Sequence, residues 1–303
     1  MKIALTLALA TIALISTLTT VVSARVPYNR RQLAKRAADW TYGLNNAGPQ
    51  NWAKLDPLYG VCGSGHKQSP IDVAIGSPYV KLQNKTFSDL VYPPIYNVLC
   101  GYDGHAVKCE WPMATDNKGK APASKNENSV VINNKKYNLI NFHFHTPSEH
   151  RIDNHFSDAE LHLVHTSKDG ALAVIGVMLE VQVKDNPFFN WVTVLNKKVD
   201  MAEKGHGHLV KDKVTGESVP GKEQVKYKVK KVDFSSLLRA TGEFTPRWEY
   251  VGSLTTPPCT EGVAWNVAKA SVRLGLRQYD ALVSLESFNS RFIQDRPHEG
   301  EGH

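Results

Sequence analysis

The sequence predicts a mainly β fold of the α+β class, one domain built on a large, mostly antiparallel, twisted central sheet with a few short peripheral helices. Three observations predict it. Short alternating or apolar runs recur between turn signals from Tyr79 to Val181, which is strand rather than helix patterning. A single helical periodicity stands out, after Asn186-Pro187. The 303-residue chain shows no internal repeat, and its one lysine-rich stretch reads as an exposed insertion rather than a domain boundary.

The chain begins with Lys2, an apolar run from Ile3 to Val22, and Val22-Ser23-Ala24. A basic start, an apolar stretch and small residues before a cut predict a secretory signal peptide over 1–24, cleaved after Ala24. The alternative, a signal anchor, is disfavoured by that cleavage site and by the lack of a second apolar segment. Residues 25–36 end in Lys35-Arg36, a site for propeptide removal or simply a basic N-terminus. Six cations and no acids lie in the first 36 residues, so without them the net charge falls from +7 to +1. The basic character therefore belongs to segments expected to be removed, and it gives no support for nucleic-acid binding. A secreted, extracellular protein with no stable membrane anchor is expected.

The elements follow in order. Ala37 to Gly76 is irregular, with Trp40 and Trp52. Strands are predicted at Val98–Cys100, Val107–Trp111, Tyr137–His145, Glu160–His165 and Leu172–Val181. After Asn186-Pro187, a cap and a proline at the first helical position, Phe188, Val192, Leu195 and Val199 repeat at helical spacing. Residues 196–231 hold ten lysines against five acids and are expected to be the insertion. Within them Gly205-His206-Gly207-His208 is better read as a solvated loop than as a metal site. The domain spans 37–297, with a tail at 298–303, and Asn84-Lys85-Thr86 is a glycosylation sequon.

Four cysteines in an exported chain point to disulfides. Asp103-Gly104-His105 sits midway between Cys100 and Cys109, and Asp-Gly marks a hairpin. With Gly104-His105 as the loop, Asp103 faces Ala106 and Cys100 faces Cys109, close enough to bridge. That leaves Cys62 for Cys259; the alternative is a free Cys100 or Cys109, or pairing between chains.

Six of the twelve histidines fall between His143 and His165. Side chains alternate faces along a strand, so Asn141, His143 and His145 share one face while Phe142 and Phe144 enter a core on the other. In Glu160-Leu161-His162-Leu163-Val164-His165 the same rule groups Glu160, His162 and Val164, with Leu161 and Leu163 behind. Two strands, each apolar on its back, can present His143, His145 and His162 to one another. Three neutral imidazoles with an open fourth position make a catalytic zinc site. A ligating histidine ordinarily donates its second N–H to a carboxylate or carbonyl, and Asn141 and Glu160, each two residues from a ligand, are placed to accept. Glu149, after a short turn, is placed to orient a hydroxyl near the metal. A lone His-x-His is usually exposed or simply hydrogen-bonded. The Glu-x-His on a second strand gives the pattern its weight.

Taken together, these residues resemble the alpha-class carbonic anhydrases. The matching segments are Trp40-Thr41-Tyr42, Gly48-Pro49, Gln68-Ser69-Pro70-Ile71-Asp72, Gly104-His105-Ala106, Phe142-His143-Phe144-His145, Ser148-Glu149-His150, Ala159 to His165, Leu172 to Gly176, Gly252 to Pro258, Val263-Ala264-Trp265 and Asn289-Ser290-Arg291. They occur in the family's order from about Ala37 to Gln294.

The resemblance implies zinc-dependent, reversible hydration of carbon dioxide to bicarbonate and a proton, by attack of zinc-bound hydroxide, with ester hydrolysis as a side reaction. Water, carbon dioxide and bicarbonate are then the partners and Zn2+ the cofactor. His143, His145 and His162 resemble the zinc ligands, and Thr255 resembles the hydroxyl that orients the attacking group, itself held by Glu149. Val164, Val174, Leu254, Thr256, Val263 and Trp265 resemble the wall and rim that hold carbon dioxide, with Thr255 also lining that cavity. His105 resembles the proton shuttle, and Tyr42, Asn141 and Glu160 resemble the residues that support the site. The Cys62–Cys259 bridge matches the one common in secreted and bacterial members.

The sequence also departs from the family. Asn141 stands where animal enzymes have glutamine, Asp103 and Lys108 replace two asparagines near the shuttle, and the His145–Glu149 turn is short, as in plant and bacterial members. The lysine-rich stretch has no counterpart. No Gly-x-Ser-x-Gly nucleophile motif occurs, which argues against a serine esterase. An intact ligand set argues against a non-catalytic storage or matrix relative.

Overall fold

Fourteen strands alternate with short helices in the computed structural model, which describes residues 40–74, 76–111, 127–204, 209–211, 218–220 and 225–295. The expected leader and basic segment, the His206 and His208 pair and the tail lie outside these residues. In chain order the strands are β1 Lys81–Gln83, β2 Leu90–Val91, β3 Ile95–Tyr102, β4 Val107–Glu110, β5 Ser129–Ile132, β6 Lys135–His145 and β7 Ala159–Thr166. They continue as β8 Leu172–Gln182, β9 Leu209–Lys211, β10 Ser218–Pro220, β11 Lys226–Val232, β12 Arg247–Ser253, β13 Glu261–Ala268 and β14 Val272–Gly275. Three helices matter below: α1 Asn190–Lys204, α2 Ser235–Ala240 and α3 Leu276–Glu286.

Twelve strands form one sheet, nine of them along the path β1-β12-β13-β8-β7-β6-β4-β3-β11 with β14 added on β8, β5 on β6 and β2 on β5, while β9 and β10 pair with each other. Every pairing is antiparallel except those of β13 and β14 with β8. The mostly antiparallel sheet expected from the sequence is the one observed, and the five predicted strands all form. The hairpin forms too: Cys100 pairs with Cys109 and Tyr102 with Val107, and the Asp103 carboxylate caps the turn by accepting from the amides of His105 (3.0 Å) and Ala106 (2.9 Å). Both expected disulfides, Cys62–Cys259 and Cys100–Cys109, are present.

Two faces of the sheet are buried differently. On the back, Phe142, Phe144, Leu161, Leu163, Ile175 and Val177 join the main core beneath α1 and α3. On the front, Val164, Val174, Met178, Val263, Trp265 and Val267 form a second cluster. The cap before α1 works as predicted, with the Asn186 side chain accepting from the Phe188 amide. Val192, Leu195 and Val199 are buried along that helix.

Three features differ from the sequence expectation. The stretch 196–231 is not wholly an insertion: α1 continues to Lys204, and β11 begins at Lys226 and joins the sheet beside β3. Lys197, Lys198, Lys226, Lys228, Lys230 and Lys231 are the wet face of amphipathic elements, whose Val199, Val229 and Val232 are buried. Strands β12 and β13 were not anticipated: β12 alternates only over Trp248 to Gly252, with Glu249 and Val251 turned outward, and β13 is buried without a break from Trp265 to Ala268. The helix α3 was not anticipated either. It is fastened by Gln278, which accepts from the amides of Gly275 (2.9 Å) and Asn186 (3.0 Å). Among the described residues, no helix is long and apolar enough to cross a membrane.

Candidate metal centre and active site

The register of β6 and β7 builds the centre. His143 is paired directly with His162, and His145 with Glu160, so all four stand on the front face while Phe142, Phe144, Leu161 and Leu163 fill the back. One ring nitrogen from each of His143, His145 and His162 lies within 4.8 Å of the other two. The opposite nitrogens are all engaged. Nδ1–H of His143 donates to Asn141 Oδ1 (3.2 Å), Nδ1–H of His145 to the Asn289 carbonyl (2.8 Å), and Nε2–H of His162 to Glu160 Oε1 (2.9 Å). These three bonds fix the tautomers, leaving Nε2, Nε2 and Nδ1 respectively as free lone pairs. Burial holds all three pKa values down, that of His145 to about 4 and that of His143 well below its usual value, with neighbouring imidazoles adding to the effect on His143. Neutral imidazoles converging on one point are what a divalent metal requires.

Glu160 organises the support. Its Oε2 accepts from the amides of Glu149 and His150, both at 2.9 Å, and its Oε1 also accepts from His150 Nδ1–H at 2.8 Å. Burial pushes its pKa up, but the His150 and His162 rings and their hydrogen bonds outweigh that, and the carboxylate is held well below its ordinary range. Tyr250 then donates to His150 Nε2 (2.5 Å), and Ser69 lies 2.9 Å from the Tyr250 hydroxyl. Gly176 faces His162 across the β7–β8 ladder, and a Cβ there would lie 2.8 Å from Glu160 Oε1. Only glycine leaves the carboxylate room to reach His162.

Glu149 is fully buried. Its Oε1 accepts from the Arg291 amide (3.0 Å), while Oε2 sits 3.4 Å from His145 Nε2 and 4.0 Å from His162 Nδ1. Burial raises its pKa to about 7, against the pull of His162, the Thr255 hydroxyl and the Arg291 amide. The Thr255 hydroxyl therefore lies near enough to Glu149 to act on it, as the expected pairing requires. Buried His145 Nε2 and Glu149 Oε2 have no hydrogen-bond partner in the protein, and a metal with its attendant solvent would satisfy both. The donor set fits zinc.

The remaining expected residues are gathered around this point. Val164, Val174, Val263 and Trp265 lie in the front cluster, with Leu254 packed on its edge. Trp265 touches His162 with ring centroids 4.9 Å apart, and its Nε1–H donates to the Ser253 carbonyl (2.9 Å) at the start of the loop bearing Thr255 and Thr256. Cys259, whose amide donates to the Thr256 carbonyl (2.8 Å), ties that loop to Cys62. Tyr42 packs edge-on against both His145 (6.3 Å) and His105 (6.5 Å). His105 stacks flat on Trp40 at 3.5 Å, and burial lowers its pKa against the pull of Asp103.

Sequence reasoning missed Asn289, His150 and Tyr250 as site residues. Asn289 accepts from His145 through its carbonyl and donates from its side chain to the carbonyls of Phe144 (3.0 Å) and His105 (3.1 Å). A backbone carbonyl acceptor has no residue signature. His150 was readable as one more histidine in the cluster.

A family profile for eukaryotic-type carbonic anhydrases matches residues 47–296. The chain belongs to this family. It is 31% identical over 252 residues to alpha carbonic anhydrase 4 of Arabidopsis thaliana, covering 82% of this chain and 79% of that one. A carbonic anhydrase of Nostoc sp. is 29% identical over 261 residues, covering 86% and 83%. Among solved structures, the fungal alpha carbonic anhydrase of Aspergillus oryzae superposes with a TM-score of 0.64 at 25% identity, covering 84% of this chain and 93% of that one. The chain is an enzyme of the carbonic anhydrase class, and the hydration of carbon dioxide is the activity its relatives support.

Proposed function

We propose that His143, His145 and His162 hold a zinc ion and that carbon dioxide is hydrated between it and the apolar wall. The observation that carries this is the convergence of three tautomer-fixed, neutral imidazole nitrogens on one point beside the unpartnered Glu149 Oε2. Bound there, zinc supplies a positive charge and an acidified water, whose reference pKa of about 7 comes from carbonic anhydrases themselves.

The protein's own groups do the rest. Glu149 accepts from the Thr255 hydroxyl, so Thr255 has its lone pairs free to accept in turn and orient the attacking group. Val164, Val174, Leu254, Val263 and Trp265 offer an uncharged substrate a dry surface, with Thr256 at the rim. Asn141, Glu160 and Asn289 hold the ligand rings, and Tyr42 packs behind them. His105 carries the product proton outward, because an imidazole titrates near the working pH. Its stacked position on Trp40 is one resting place for that ring. The leader pattern of residues 1–24 and the two disulfides support export, with 37–297 as the catalytic domain.

Elemental analysis, carbon dioxide hydration and ester hydrolysis on one sample test this. One zinc per chain is expected, lost together with hydration on chelation. His143→Ala or His162→Ala should fold without zinc, since an open three-ligand site has no spare donor. Full zinc occupancy in either variant overturns the ligand assignment.

A further inference from the structure

The sheet register lays out a row of side chains that ends on the histidine centre. Lys226 of β11 pairs with Gly101 of β3, Gly101 with Lys108 of β4, Lys108 with His143 of β6, and His143 with His162 of β7. Paired residues stand on one face of a sheet, so both lysines share the face of the histidines. Val107 and Cys109, on either side of Lys108, are buried in the back core, which fixes its direction independently. Gly101 places no side chain between the lysines. A Cβ there would lie 2.6 Å from Lys226 Cδ and 3.3 Å from its Nζ, so the Lys226 chain runs from β11 across β3 in the direction of Lys108. Beside Lys108 on this face stands Glu110, 3.6 Å from its Nζ, while the Glu160 carboxylate lies deeper, bonded to His150 and His162. The Lys108 and Glu110 side chains are 33% and 54% exposed, and an exposed pair of this kind neutralises little.

We propose that Lys108 and Lys226 form an anion-collecting approach that raises the affinity of the histidine centre for small monoanions. These are bicarbonate and the inorganic anions that compete with it. Carbon dioxide carries no charge and feels no such pull, so the row discriminates between the two carbon species of one reversible reaction. The reaction's equilibrium constant fixes the ratio of kcat/KM in the two directions. The grip on bicarbonate therefore lowers its KM and slows its turnover together, and leaves that ratio alone. The bicarbonate part rests on the carbonic anhydrase reading; the capture of inorganic anions does not.

The test uses the full protein with cobalt at the histidine centre, titrated with thiocyanate and followed by visible absorption, beside the KM for bicarbonate on the zinc form. A unit charge about 8 Å from a monoanion in largely aqueous surroundings changes its affinity about two- to sixfold. Lys108→Gln should weaken thiocyanate by that factor at low ionic strength, Lys226→Gln should weaken it by less because its chain ends beside Gly101, two strands from His143, and both should raise the bicarbonate KM. Lys108→Arg should retain the parent affinity, and Glu110→Gln should strengthen binding. All differences should shrink near 1 M inert salt, where screening acts within about 3 Å. Unchanged affinity in both lysine variants, changes that persist in high salt, or weaker binding in Glu110→Gln would each overturn the proposal. The expected thiocyanate series in a protein that does not hydrate carbon dioxide would uphold the row and overturn the catalytic reading.

Discussion

Replacing Glu160 by glutamine exchanges one carboxylate oxygen for NH2 and leaves the shape unchanged. In the folded protein Oε2 accepts from two backbone amides, and Oε1 accepts from His150 and His162, all between 2.8 and 2.9 Å. A glutamine offers one accepting oxygen, so whichever way its amide turns, two of the four donors meet an N–H. The side chain is 0% exposed, and no bulk water can stand in. Hydrogen bonds to a charged group contribute about 1.5–3 kcal/mol each, so two lost bonds cost about 3–6 kcal/mol. Relief of a buried charge returns part of this, leaving an expected loss of about 2–4 kcal/mol. In either orientation His162 loses its charged acceptor, and such a change beside a ligand typically costs about 10–100-fold in metal affinity. Urea unfolding and competition with a chelator measure the two effects separately. A variant with the parent's unfolding midpoint and zinc affinity would refute the role given to Glu160.

Other outcomes are expected on the same grounds. His105→Ala should keep its zinc but lose about tenfold or more of the maximal hydration rate in dilute buffer, with imidazole restoring much of it, since positioned proton transfer is worth about 10²–10⁴-fold; an unchanged rate would show that His105 is not the shuttle. Removing Cys62–Cys259 with a double alanine variant should cost about 5 kcal/mol in unfolding free energy, from closing a loop between residues 197 apart; an unshifted urea midpoint would contradict this. His165, buried against the Tyr92 hydroxyl, has its pKa lowered to about 4 by burial, against 6.5 for an ordinary histidine. The unfolded chain takes the proton first, so this contribution is whole above pH 6.5 and is lost as pH falls towards 4, by up to about 3 kcal/mol. Relative to the parent, His165→Gln should show a flatter fall in stability over that window, and an identical slope would rule out His165 as its source.

Legibility in the sequence followed the chemistry of each element. Strands β6 and β7 could be read with their faces assigned because Phe142, Phe144, Leu161 and Leu163 alternate with the histidines. The hairpin at Asp103-Gly104 could be read to the residue, since a two-residue loop sets the register of the cysteines on either side. Strands β12 and β13 were not foreseen, since the alternation in β12 is short and the second half of β13 is buried on both faces, and α3 was not foreseen either. At the site, Asn141 and Glu160 could be read because each lies two residues from its ligand. Asn289 lies 144 residues from His145 and acts partly through its backbone, and Tyr250 reaches the ligands through intermediaries, His150 with Glu160 on one side and Trp265 on the other. Such links belong to the folded topology, and no local pattern in the sequence carries them.

The sheet that carries the centre also acts as a ruler. His143, His162, Gly176 and Val267 lie on one rung of paired residues, and Asn141, Val164, Val174 and Trp265 on the next rung of the same face. Adjacent rungs on one face are two residues apart, about 6.8 Å along the strands. The distance from the polar rung to the greasy one is therefore set by peptide geometry and does not depend on rotamers. A triatomic molecule can touch both rungs at once, whereas a bulkier one must lean out toward the rim. Trimming Val164 or Val174 would shorten side chains of the greasy rung without moving either rung. A one-residue slip of β6 or β7 would turn the histidines to the wrong side of the sheet, so the metal-binding face and the rung spacing are kept together.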